Sequence, residues 1–129
     1  MESVVLLINK KNVKVEYFED KGYIYVKWIG FQSTEKVIES GKEILAVFRT
    51  TKCSKVINDN RLVTGPWSKA SDWVEKEWFP QMISAGMKKF AWIFPDNVFA
   101  ELSASKAMPD TGMVKKFDEY KSAENWLTN

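Results

Sequence analysis

The sequence predicts an α/β fold: one domain spanning residues 1–129, a mixed and mostly parallel sheet with helices packed on it. Three observations predict this. Strand-like and helix-like periodicities alternate along most of the chain, the pattern of parallel strands joined by crossover helices. Two runs, Val56-Ile57 and Phe90 to Phe94, are apolar at every position, as strands covered on both faces are. A chain of 129 residues, 45% hydrophobic and 28% charged, can bury one core without staples.

Val4 to Ile8 is apolar throughout and reads equally as a short strand or a packed turn. Asn12 to Phe18 alternates, with Val13, Val15 and Tyr17 on one side and Lys14 and Glu16 on the other. Gly22 to Ile29 alternates in the same way through Ile24, Val26 and Trp28. The turn Asp20-Lys21-Gly22 between them predicts an antiparallel hairpin. A helix follows, with Ser33 as N-cap and Glu35 in its first turn. Its apolar stripe includes Val37, Ile38, Ile44, Leu45 and Phe48. Gly41 lies in that stripe, and close packing of the helix on the sheet is its simplest explanation.

The segment Val56 to Trp78 is the most informative. Val56-Ile57 reads as a short strand, and Asn58-Asp59-Asn60-Arg61 as the turn that ends it. Pro66 suits a first helical position and Ser68 an N-cap, so a helix starts near here. It runs to about Gly86 with an apolar face of Ala70, Trp73, Val74, Trp78, Met82 and Ala85. Pro80 cannot donate to the Lys76 carbonyl, so the helix kinks or divides there. Phe90 to Phe94 is the next strand. Asn97 caps a short helix marked by Val98, Phe99, Leu102 and the stem of Lys106. Val114 to Phe117 is a strand whose two central lysines place it at an edge. Ser122 to Leu127 is a capped terminal helix anchored by Trp126 and Leu127.

Composition excludes several kinds of chemistry. The chain has no histidine, which removes Ser-His-Asp and Cys-His systems and histidine metal sites. Its single cysteine, Cys53, makes neither an internal disulfide nor a zinc site alone. No glycine spacing forms a phosphate-binding loop. No catalytic set, metal site or cofactor is therefore expected. The net charge of +2 is spread along the chain, so nucleic acid is not an expected partner. No run reaches the length of a membrane span, and Val4 to Ile8 follows Glu2 rather than a basic segment, so a cytoplasmic location is expected. The oligomeric state is not read from the sequence, which leaves a homodimer open.

The element order is strand, strand, helix, strand, helix, strand, helix, strand, helix. Together with the stretches NDNRLVTGPWS, DWVEKEWFP, FAWIFP and FDEYKSAENWL it resembles the STAS domain of anti-sigma-factor antagonists and sulfate-transporter tails. The likeness covers essentially the whole chain, and within that fold it is to a group of small uncharacterised bacterial proteins. The resemblance implies a non-catalytic regulatory or protein-binding domain. Antagonists of this type carry a phosphorylatable hydroxyl where the helix after their third strand begins. Thr64 and Ser68 occupy that region here, in a longer loop that also holds Arg61, Pro66 and Trp67.

Ligands and partners of open α/β sheets bind beyond the carboxyl ends of the strands. Asp59, Asn60, Arg61, Thr64, Trp67 and Ser68 are therefore the expected partner surface, an exposed mixture of polar and aromatic groups. Ser68 and Thr64 are read either as phosphorylation sites or as plain helix caps. Asp59 and Arg61, with Asp72 and Glu75 nearby, are read as an ion pair ordering the loop or as a small polar site. The alternative function is a module for a small apolar or lipid-like ligand, with Trp28, Trp67, Trp73, Trp78 and Trp92 lining a pocket.

Overall fold

The computed structural model describes residues 3–129; Glu2, cited above against a signal segment, lies outside the described residues. Six strands form one sheet in the order β1 (Val4–Asn9), β2 (Val13–Phe18), β3 (Tyr23–Phe31), β4 (Lys55–Thr64), β5 (Lys89–Ile93), β6 (Val114–Phe117). β1 pairs with β2, and β2 with β3, antiparallel. β3 to β6 are parallel, each joined to the next by helix. Val4 to Ile8 is thus a strand, added ahead of the expected order.

The helices are α1 (Thr34–Thr51), α2 (Ser71–Trp73), α3 (Phe79–Ser84), α4 (Val98–Ala107) and α5 (Tyr120–Thr128). Residues from α1 to α4 share one buried cluster with the face of the sheet that carries Ile24, Val26, Val56, Phe90 and Trp92. The opposite face carries Tyr23, Ile57, Ala91 and Ile93 and is covered by Ala123 and Leu127 of α5. β5 is therefore covered on both sides, as its unbroken apolar run requires.

Several local signals act as expected. The Ser33 side chain accepts the Lys36 N–H, and Asn97 accepts from Phe99 and Ala100. β6 is an edge strand with Lys115 and Lys116 exposed. The helix after β4, expected to kink or divide at Pro80, changes its winding ahead of that residue. It opens as a 3-10 turn over Ser68–Ala70, passes through α2, then makes a π turn over Val74–Trp78 before α3. The cause is Pro80, which has no N–H. Phe79 bonds instead to the Val74 carbonyl, five residues back, so the chain widens by one residue and continues past the proline.

Gly41 does not serve contact with the sheet. A Cβ there would lie 2.8 Å from the Trp73 ring and 3.3 Å from Trp78, so its bare backbone lets the second helix approach α1. α4 also turns an unexpected face inward. Ala100, Ser103, Ala104 and Ala107 are buried, while Val98, Phe99 and Leu102 face outward. The small side chains let α4 lie close to the segment from Trp67 to Ser71, where Ser103 accepts the Trp67 N–H and its carbonyl accepts from the Ser71 hydroxyl. α5 begins two residues before Ser122, which does not cap it; the Ser122 hydroxyl donates to the Glu119 carbonyl.

Candidate functional site

The turn expected at Asn58 to Arg61 is absent. β4 continues to Thr64, and Asn58, Asp59 and Asn60 are buried within it. Residues with turn preference stay in a strand here because Asn58 and Asp59 find partners on β3 and Asn60 pairs with Asn58, and tertiary pairing outweighs a weak local preference. Asn58 accepts the Trp28 indole N–H at 2.9 Å and donates to Asn60 at 3.2 Å. Both lie on the face under α1 to α4. Asp59 points to the other face, where Tyr25 donates to it at 2.6 Å.

The register of β3 against β4 slips at this point. Lys27 pairs with Asp59 and Ile29 with Leu62, so Asn60 and Arg61 together face Trp28. This extra residue is a bulge, a feature that re-aims side chains at the ends of sheets. It turns Arg61 back on Asp59. The Arg61 backbone N–H and Nε both donate to Oδ1 at 3.0 Å, and an Nη donates to Oδ2 at 2.8 Å. Burial pushes the Asp59 carboxyl up, but the bonds from Arg61 and Tyr25 outweigh it and hold the pKa below the usual value. Burial, then the bond to Asp59, pushes the Tyr25 phenol well above its ordinary range. Asp59 is therefore a fully engaged carboxylate, not a poised base. Its partners are Tyr25 and Arg61; neither Asp72 nor Glu75 joins them, and among the described residues no cluster of three metal-ligating side chains exists.

The six residues expected at one exposed surface divide into two sets. Arg61, Thr64 and Ser68 are exposed. Asp59, Asn60 and Trp67 are buried, so they shape the rim from beneath and do not present it. Trp67 is drawn inward by its apolar surface, stacks on Trp92 with ring centres 6.4 Å apart, and is tied down through its backbone to Ser103. Ser68 makes no capping bond: the turn it opens is preceded by Trp67 and has no side-chain cap. Sequence reasoning missed Phe31 and Leu62. They are 59% and 50% exposed where β3 and β4 end, and only a large apolar residue at the end of an alternating strand hinted at them. Phe31 lines an open cleft of about 430 Å³ with Ser33, Thr34, Glu35, Pro66 and Ser68. Gly65, with φ +75°, makes the turn that brings Pro66 round to the cleft.

A second cluster lies under α5. The Tyr23 hydroxyl donates to Glu124 at 2.6 Å, which leaves the Tyr120 hydroxyl to donate to Tyr23 at 2.5 Å. Lys21 pairs with the same carboxylate at 2.9 Å. The bonds from Tyr23 and Lys21 hold the Glu124 pKa below its usual value.

Comparison with known proteins agrees with this architecture. The chain is similar to an uncharacterised protein of the DUF3478 family with a SpoIIAA-like fold from Shewanella loihica PV-4. The two superpose with a TM-score of 0.52 at 16% identity, over 98% of this chain and 95% of the other. No protein-family model matches the sequence. No curated protein matches it either. The chain thus has the SpoIIAA-like, STAS-type fold. Among the described residues, no helix is long and apolar enough to cross a membrane.

Proposed function

We propose that this domain is a non-catalytic regulatory module that binds a protein partner at the carboxyl rim of its sheet. The observation that carries the reading is the uncovered cleft between Phe31 and Ser68, walled by the start of α1 and the loop from Pro66 to Lys69. An exposed aromatic ring beside backbone and hydroxyl groups suits a polypeptide segment, because apolar anchors supply affinity and the polar border supplies register. Of the expected surface residues, Trp67 and Ser68 line the cleft itself; Arg61 and Thr64 are exposed near the end of β4, with Asp59 and Asn60 buried in that strand. Ser68 is exposed and makes no cap bond, which suits a hydroxyl that a kinase modifies, and phosphate there would add about two negative charges to the rim.

The test is site-specific photo-crosslinking in the native host. A benzophenone side chain at position 31 is expected to capture one discrete partner, and the same group at the exposed Thr128 is not. Loss of the adduct in a Ser68→Arg background would support the cleft. Equal capture from both positions, or none from position 31, would reject it. Intact mass from native material tests the modification: phosphate on neither Ser68 nor Thr64 in any growth phase removes that part.

A second reading, a module for a small apolar ligand, is supported by a separate observation: a cavity of about 40 Å³ lies between the sheet and the broken helix, walled by Trp28, Trp67, Trp73, Trp78 and Trp92.

A further inference from the structure

The indoles around this cavity are not equivalent. Trp28 donates to Asn58 and Trp78 donates to the Gly41 carbonyl at 2.7 Å. Trp67 and Trp92 find no acceptor among the described residues. Their Nε1 atoms are the two buried side-chain polar atoms without a partner among the described residues. The residues are 7% and 2% exposed, and both line the cavity. Native proteins rarely leave a buried donor unpaired, and two such residues beside one small cavity point to an acceptor that the described residues do not supply.

The wall also restricts what that acceptor is. No charged side chain lines the cavity; its polar groups are the amides of Gln32, Asn58 and Asn60 and the indoles. A carboxylate or phosphate would enter without a countercharge and lose its hydration, which is prohibitive in a site of this kind. The remaining wall is aromatic and aliphatic, including Val37, Val63 and Phe90. Resting on the ligand-binding reading, we infer that the cavity takes a small uncharged molecule with an apolar body and a carbonyl-type oxygen, and that the oxygen accepts from Trp67 and Trp92.

The size limits the molecule further. A water needs roughly 10–15 Å³ of such space, and benzene enters a dry cavity of about 150 Å³. The 40 Å³ present here admits a molecule of a few heavy atoms. Anything longer extends through the open side of the pocket or shifts the wall between Trp67 and Trp78. That wall contains the π turn, a segment with a widened helix and no continuous α-helical bonding.

The experiment follows the indole N–H resonances of the ¹⁵N-labelled protein, assigned with Trp67→Phe and Trp92→Phe. The probes are acetone, acetate and xenon: a neutral acceptor, a charged acceptor of the same size, and an apolar atom with no acceptor. Acetone is expected to shift the Trp67 and Trp92 indole protons saturably and downfield, with acetate at equal concentration leaving them in place. Each Phe variant is expected to weaken acetone binding by roughly fivefold, the worth of one net hydrogen bond. Xenon entry without acetone binding would overturn the acceptor assignment and leave the ligand reading standing. Binding of none of the three would overturn both. Cross-relaxation of the two indole protons with a long-lived water that acetone does not displace would show the donors to be satisfied by solvent, and would also overturn the assignment. If either variant fails to fold, the probe series on the unaltered protein decides alone.

Discussion

Gly41 and Trp73 meet so closely that a single added methyl at position 41 would stand 2.8 Å from two carbons of the indole ring. Two effects oppose each other when Gly41 becomes alanine. Helix propensity favours alanine by about 1 kcal/mol. Overpacking a filled site costs about 1–3 kcal/mol. The contact distance is shorter than real Cβ contacts reach, and Trp78 at 3.3 Å closes the other side, so overpacking wins. Gly41→Ala is expected to destabilise by about 1 kcal/mol, the difference of these two terms. Trp73→Leu in the same chain should recover most of it. A double-mutant cycle by urea unfolding measures the coupling, and strict additivity would show that the ring moves aside freely.

Arg61 closes the bulge by bonding Asp59 three times, through its backbone and two side-chain nitrogens. Arg61→Ala leaves a buried carboxylate supported by Tyr25 and one backbone N–H. Hydrogen bonds to a charged group contribute more than neutral ones, but the Arg61 side chain is 41% exposed and solvent screens the pair. The expected loss is about 1–2 kcal/mol at neutral pH after that discount. Arg61→Lys should not restore it, because an ammonium cannot make the two-pronged contact. An unfolding midpoint unchanged in Arg61→Ala would mean that the β3–β4 register alone fixes Asp59.

How much of this was legible depended on whether a residue's partners lay close in sequence. The β2–β3 hairpin was, because Val13, Val15, Ile24 and Val26 alternate and a glycine turn joins them. The caps at Ser33 and Asn97 were, because the bonds they make are local. The extension of β4 was not. Asn58, Asp59 and Asn60 look like a turn until Trp28, Tyr25 and Arg61 are placed beside them, and two of those partners are some thirty residues away. The same reason hid the burial of Trp67, which depends on Ser103 and Trp92. The outward face of α4 was misleading for another reason: its largest apolar residues mark the helix, whereas its alanines make the contact.

Val98, Phe99 and Leu102 are each about 60% exposed on α4. Their replacement by serine therefore removes little buried surface. Single changes are expected to alter stability by no more than about 0.5 kcal/mol, the range of ordinary surface substitutions. Retention on a hydrophobic-interaction column should fall in the triple variant. A loss of several kcal/mol on thermal unfolding would contradict the outward orientation.

Stability should fall at both ends of the pH scale, for opposite reasons. Asp59 and Glu124 have folded pKa values below their unfolded ones, near 3.9 and 4.3 for free carboxyls. Their contribution is complete above those unfolded values and is lost as pH drops through the lower folded values, so the acid limb lies below about pH 4. Tyr23 and Tyr25 have raised values, chiefly from burial. Their contribution is complete below about pH 10 and is lost as pH climbs beyond it. Melting temperature against pH reads both limbs. Glu124→Gln should flatten the acid limb, and Tyr25→Phe the alkaline one. An acid limb of the same steepness in Glu124→Gln would remove that carboxylate from the account.

Tyr23 is wholly buried, yet its hydroxyl is the junction between Tyr120 and Glu124, both of the last helix. Tyr23→Phe keeps the ring stacked on Phe18, 5.2 Å away, and deletes only the junction. Glu124 then keeps Lys21, while Tyr120 loses one acceptor. The expected cost is about 1–2 kcal/mol, typical for removing one partner from a buried polar cluster that includes a charge. Because α5 is the sole helix on its face among the described residues, the loss should be local. Amide exchange is expected to quicken at Ala123 and Leu127 well before it does in β4 or β5. Equal acceleration throughout the sheet would mean that α5 and the sheet open as one unit, and that the tyrosine junction stabilises the whole domain rather than fastening its last helix.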